Sequence, residues 1–195
     1  MASAKYDRQE VIRKATDLFW SRGFHATSMR NIQQAIDMRP GSIYACFGSK
    51  EGLFKEVLAF YAEANRARLE ACLQAAPSAL EGLKQFFRAS VTGMGTSAPN
   101  EMCMLIKSIA ELTEEDGELL ADAKQRLRQV EETFAQILRR AQQEGDIDPS
   151  RDPARMARYL QVQLMGLRAY ARANGADAEL RGLIEDAFAY LTGGA

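Results

Sequence analysis

Apolar positions recur with helical spacing along almost the whole chain. Val11, Ile12, Ala15, Leu18 and Phe19 share one helix face, and Gly23 ends that helix. Thr27 or Ser28 is suited to cap a second helix, which turns Met29, Ile32, Ala35 and Ile36 inward. A turn at Asp37-Met38-Arg39 leads to Pro40, whose fixed φ matches the first position of a third helix carrying Ile43 and Phe47 one turn apart. Gly48 stops it. Ser49 then caps a fourth helix bearing Leu53, Phe54, Val57, Leu58 and Tyr61, with no breaker before Pro77. A run of about 27 residues would span roughly 40 Å.

The remainder is helical too. Leu80, Leu83, Phe87 and Val91 are in register over residues 79–92, and the Gly, Ser and Pro content of 93–100 predicts a loop. A shorter helix is expected over 102–112. Leu120, Ala123, Leu127, Val130, Phe134, Ile137 and Ala141 give the best periodicity in the chain, closed by Gly145. Asp152-Pro153 reads as a cap followed by proline at the first helical position, opening a helix over 153–173, and a last one covers 178–191. No strand alternation and no internal repeat is present. The expected fold is all-α with about nine helices: a three-helix head, residues 1–50, joined by the long fourth helix to a helical body, 51–195.

Composition narrows the classes. The chain has 195 residues, 47% apolar and 26% charged, an ordinary globular balance. No apolar run is long enough to cross a membrane, and MASAKYDRQE lacks the apolar core of a signal peptide. A cytoplasmic protein without a membrane partner is expected. Three cysteines, at 46, 72 and 103, form no CxxC, and one histidine cannot seed a His-rich metal site, so no metal or cofactor is expected. An enzyme would need a convergent catalytic constellation, and none is present. The net charge of −1 hides an asymmetry. Residues 1–50 hold eight basic against four acidic groups, whereas the rest carries a net −5.

That asymmetry matters because residues 27–54, TSMRNIQQAIDMRPGSIYACFGSKEGLF, have the order of a helix-turn-helix. Such a motif lays its second helix in the major groove of double-stranded DNA, with apolar residues on the protein side and small or polar ones toward the bases. Ile43 and Phe47 supply the first. Gly41, Ser42, Ala45 and Cys46 are small, and Tyr44 can reach a phosphate or a thymine methyl. Arg39 and Lys50 suit phosphate neutralisation, and Thr27 and Ser28 at a helix N-terminus can also hold phosphate.

LFWSRGF at 18–24, TSMRNI at 27–32 and GSIYACFGSKEGLF at 41–54 resemble the DNA-binding head of the TetR family of transcriptional repressors. The resemblance covers roughly residues 8–56. Pro40 stands where a lysine is frequent, Ala45 where a His or Tyr is frequent, and Cys46 where an aromatic is frequent, so the recognition face is less polar than usual.

The resemblance implies a homodimer formed by the last two helices, for which Met156, Leu160, Leu164, Leu167, Leu183, Ile184 and Phe188 are the candidate interface residues. It also implies a ligand site in the body, with Phe86, Phe87, Met102, Cys103, Ile106, Phe134, Met165 and Tyr170 as candidate lining. These residues favour a small apolar or aromatic inducer that releases a repressor from a palindromic operator. EMCMLIKSIAEL resembles a segment in which some relatives sense electrophiles, so Cys103, aided by Lys107 one turn on, is a second candidate for the signal. A regulator governed by a protein partner is the third reading.

Overall fold

The computed structural model describes residues 7–92, 102–175 and 178–193. Among these, nine α-helices run in order: α1 Arg8–Arg22, α2 Met29–Ile36, α3 Pro40–Phe47, α4 Lys50–Ala75, α5 Ala79–Thr92, α6 Met104–Glu111, α7 Gly117–Glu144, α8 Pro153–Asn174 and α9 Ala178–Thr192. A short 3-10 turn, Glu114–Asp116, precedes α7, and no strand occurs among the described residues. The expected loop at 93–100 lies outside them. No helix is long and apolar enough to cross a membrane among the described residues.

Local capping chemistry sets the boundaries. Asp7 accepts the backbone N–H groups of Gln9 and Glu10 at the start of α1, and the Gly23 N–H closes its end on the Phe19 carbonyl. Ser28, of the two caps considered, opens α2 through a reciprocal capping box with Asn31. Asp37 takes the left-handed conformation that ends α2, at φ 53°. Arg39 is the extended residue before Pro40, and the Ser49 hydroxyl accepts the Gly52 N–H at 3.1 Å at the start of α4.

The chain divides into two compact units. The first comprises Met1–Ala64 and Met104–Gln125, the second Asn65–Cys103 and Arg126–Ala195. This differs from a boundary at residue 50. The first half of α4, α6 and the start of α7 associate with the head, because buried side chains continue down α4 through Leu53, Phe54, Val57, Leu58 and Tyr61. In the first unit Phe19, Phe24 and Phe54 form an aromatic centre, with Phe54 4.9 Å from both other rings. In the second, α5, α8 and α9 pack against one another. Their core holds Leu83, Phe87, Val91, Phe134, Leu138, Leu160, Ile184 and Phe188. Glu144 accepts the Ala79 N–H at 2.7 Å, so the end of α7 caps the start of α5. Leu119, rather than Leu120, is the buried leucine at the start of α7.

Candidate nucleic-acid interface

The recognition helix is held by its inward side chains. Ile43 and Phe47 of α3 are buried, as are Ile32 and Ile36 of α2 and Met38 in the turn between them. Arg8 adds a clamp at the far end of α3: its guanidinium lies 4.8 Å from the Phe47 ring centroid and 2.5 Å from Glu56 of α4. Gly52 lets α4 pass under α3, since a Cβ there would lie 2.0 Å from the Phe47 carbonyl oxygen. Neither Arg8 nor Gly52 stands out in the sequence, because each acts through a partner distant in the chain or through an atom that it lacks.

The outward face carries Gly41, Tyr44, Ala45 and Cys46, all exposed, with Ser42 half-buried. Apart from its chain neighbours and the backbone of its own helix, nothing lies within 4 Å of where a Cβ on Gly41 would sit, so this position is open. Arg39 is exposed at its start, and Arg30 is exposed on α2. The Ser28 hydroxyl is exposed but committed to its capping box, accepting from the Asn31 N–H and donating to Asn31 Oδ1.

One expectation needs correction, that for Thr27, and Lys50 is held more closely than its place in the sequence suggests. Thr27 is fully buried, and its hydroxyl donates to the Gly23 carbonyl at 2.6 Å, so its side chain holds the α1–α2 turn and is not presented to a phosphate. Lys50 is not simply extended into solvent. Its ammonium sits 4.2 Å over the Phe24 ring, and partial burial pulls its pKa below the usual lysine value. The basic excess of the head is also thinner than a count suggests. Arg8 pairs with Glu56, Arg13 with Glu10 and Asp17, and Lys14 with Glu10.

The candidate ligand residues differ in burial. Phe86, Phe87 and Phe134 are buried core rings, with Phe87 and Phe134 5.8 Å apart. Tyr170 is 41% exposed, and Met102, Cys103, Ile106 and Met165 are half-buried. A cavity of about 450 Å³ in the second unit is lined by other residues, among them Glu81, Lys84, Asp146, Glu185 and Asp186. Half of its lining residues are charged, and Phe188 is its one aromatic. The Lys107 ammonium donates to the carbonyls of Trp20 and Ser21.

The dimer candidates divide in the same way. Met156, Leu160, Leu167, Ile184 and Phe188 pack in the core of their own subunit, Leu164 is half-buried, and Leu183 is 43% exposed. The large apolar residues exposed on the two helices are Val162 and Tyr170 on α8 and, with the candidate Leu183, Tyr190 on α9. An apolar stripe read from sequence says that a face is covered, not by which chain.

Among the described residues, an all-helical arrangement whose third helix shows a small-residue ridge to solvent, braced by α2 and α4, is the architecture of a helix-turn-helix DNA-binding regulator. Comparison with known proteins gives the family. Residues 11–57 match the model described as bacterial regulatory proteins, tetR family, and residues 79–186 match the tetracyclin repressor-like C-terminal domain. The chain is 31% identical to the HTH-type transcriptional repressor ComR of Escherichia coli (strain K12) over 175 residues, covering 89% of this chain and 83% of ComR. It is 25% identical to the transcriptional regulator YezE of Bacillus subtilis (strain 168) over 169 residues, 86% of this chain and 87% of YezE. The fold superposes with a TM-score of 0.85 on a cysteine mutant of the TetR family regulator CifR complexed with 26-base-pair operator DNA, at 30% identity and covering 96% of this chain and 98% of CifR. The chain belongs to the TetR family of transcriptional regulators.

Proposed function

We propose that this protein is a repressor that binds a palindromic operator as a homodimer through α3, and that a small molecule taken up by the body releases it. The observation that carries the DNA reading is the exposed Gly41–Ala45 ridge on a helix fixed from behind by Ile43, Phe47 and Arg8. Gly41, Ser42, Tyr44 and Ala45 approach the base edges, while Arg39, Arg30, Lys50 and the Ser28 end of α2 face phosphates. The operator complex of CifR, a relative of similar fold, supports the same mode.

Two heads are needed to reach successive major grooves about 34–36 Å apart. The surface that suits self-association is the exposed side of α8 and α9, where Val162, Tyr170, Leu183 and Tyr190 stand beside the exposed small residues Gly166, Ala169 and Gly182. Small-molecule control is supported by the match of residues 79–186 to a tetracyclin repressor-like domain. An apolar inducer would draw on half-buried side chains such as Met102 and Met165, the aromatic core being closed.

The test is selection of a binding sequence from a random duplex library, followed by titration of the enriched duplex with and without apolar and aromatic compounds. A dyad-symmetric sequence bound by a dimer and released by one compound class is expected. Failure to enrich any sequence would sink the DNA reading, and release by no compound would sink the inducer.

A further inference from the structure

Helix α6 grips the turn that leads into the DNA-binding motif. Lys107 Nζ donates to the backbone carbonyls of Trp20 and Ser21 at 2.8 and 2.9 Å, at the end of α1. One turn on, the Glu111 carboxylate accepts the backbone N–H groups of Phe24 at 3.0 Å and His25 at 2.7 Å, one on each oxygen. Terminal helix carbonyls and the N–H groups of the following turn have no partners within the helix, so both sets must be satisfied from outside. A cation suits the carbonyl end of a helix, and the four-residue spacing places cation and carboxylate on one face of α6.

Gly23 makes the approach possible. A Cβ there would lie 2.4 Å from Glu111 Oε2, and its backbone, at φ +92°, is in a region that side chains rarely adopt. The Gly23 carbonyl then takes the buried Thr27 hydroxyl at 2.6 Å, directly before Ser28 caps α2. No DNA contact is required of α6 in this arrangement.

We propose that Lys107 and Glu111 are positioning residues for DNA recognition, fixing the α1–α2 turn and through it the placement of α2 and α3. This rests on the DNA-binding reading above. Recognition of a specific sequence needs α3 in one pose, whereas non-specific attraction follows the number of cations near phosphate. Losing the grip therefore costs specific affinity and spares the non-specific part.

The experiment uses the full chain and two fluorescent duplexes of equal length, one selected by the wild-type protein from a random library and one scrambled. Lys107→Met keeps length without the donor, and Glu111→Gln keeps size but leaves a single acceptor for two N–H groups. Each is expected to weaken binding to the selected duplex by about tenfold or more, with scrambled binding changed by less than about twofold. Lys107→Arg, which keeps the donors, is expected to stay within about threefold of wild type on both duplexes. Binding is read at a temperature where circular dichroism shows every variant folded. Unchanged affinity for the selected duplex in both variants overturns the proposal, and so does an equal loss on both duplexes or a failure of Lys107→Arg to restore binding. A wild-type chain that selects no sequence overturns the function reading and the proposal with it, which separates that failure from the others.

Discussion

Thr27 and Arg39 divide two tasks within the head. The Thr27 hydroxyl is buried and bonded to the Gly23 carbonyl, whereas Arg39 is exposed at the mouth of α3. Replacing Thr27 with Val keeps the shape and leaves one buried carbonyl without its donor, at a cost of about 1–2 kcal/mol. Urea denaturation is expected to show that loss, while the dependence of DNA affinity on salt stays as in wild type. Arg39→Gln is expected to do the reverse. Stability is unchanged, and the slope of log affinity against log salt falls by about one, as for the loss of one phosphate contact. A drop in that slope for Thr27→Val would return Thr27 to the DNA surface. The sequence presents both residues as polar positions flanking helices; only the packing of the α1–α2 turn separates them.

At the scale of the element, two glycines near α3 have opposite demands, Gly41 in its own first turn and Gly52 in the first turn of α4. Gly41 has open space where a Cβ would go, so Gly41→Leu is expected to fold as wild type. It is also expected to bind its operator at least about tenfold more weakly, a loss of about 1.4 kcal/mol, because the ridge that enters the groove has thickened. Gly52 has no such space, for the Phe47 carbonyl oxygen lies 2.0 Å from its would-be Cβ. Gly52→Ala must push the end of α3 away from α4, at a cost of about 1–3 kcal/mol, the range for overpacked sites. A thermal melt unchanged from wild type would show that the two helices can separate freely. Boundaries such as Gly23, Ser28, Pro40, Ser49 and Pro153 were legible because caps and breakers act within a few residues. Arg8, Gly52, Lys107 and Glu111 were not, since each is defined by a partner that only the fold brings near.

At the scale of the whole molecule the question is which apolar residues of the last two helices serve the subunit and which serve its copy. Both helices carry apolar residues on more than one side, so helical periodicity alone put Phe188 and Leu183 in one set. In the structure they part. The Phe188 ring is buried 5.0 Å from that of Phe87, whereas Leu183 is 43% exposed and Val162 is 63% exposed. Phe188→Ala removes a closed core ring and is expected to cost about 3–5 kcal/mol in folding stability, a large share of what a domain of this size has. Val162→Arg combined with Leu183→Arg places two charges on an open surface of the isolated subunit, so the melting temperature of the monomer is expected to hold. In the proposed dimer each substitution occurs twice and buries like charges against an apolar face. Sedimentation equilibrium is then expected to give a monomer at concentrations where wild type is a dimer, with operator affinity falling toward that of one half-site. A double variant that still sediments as a dimer would place self-association on another face. A double variant that unfolds would show that Val162 and Leu183 serve their own subunit after all.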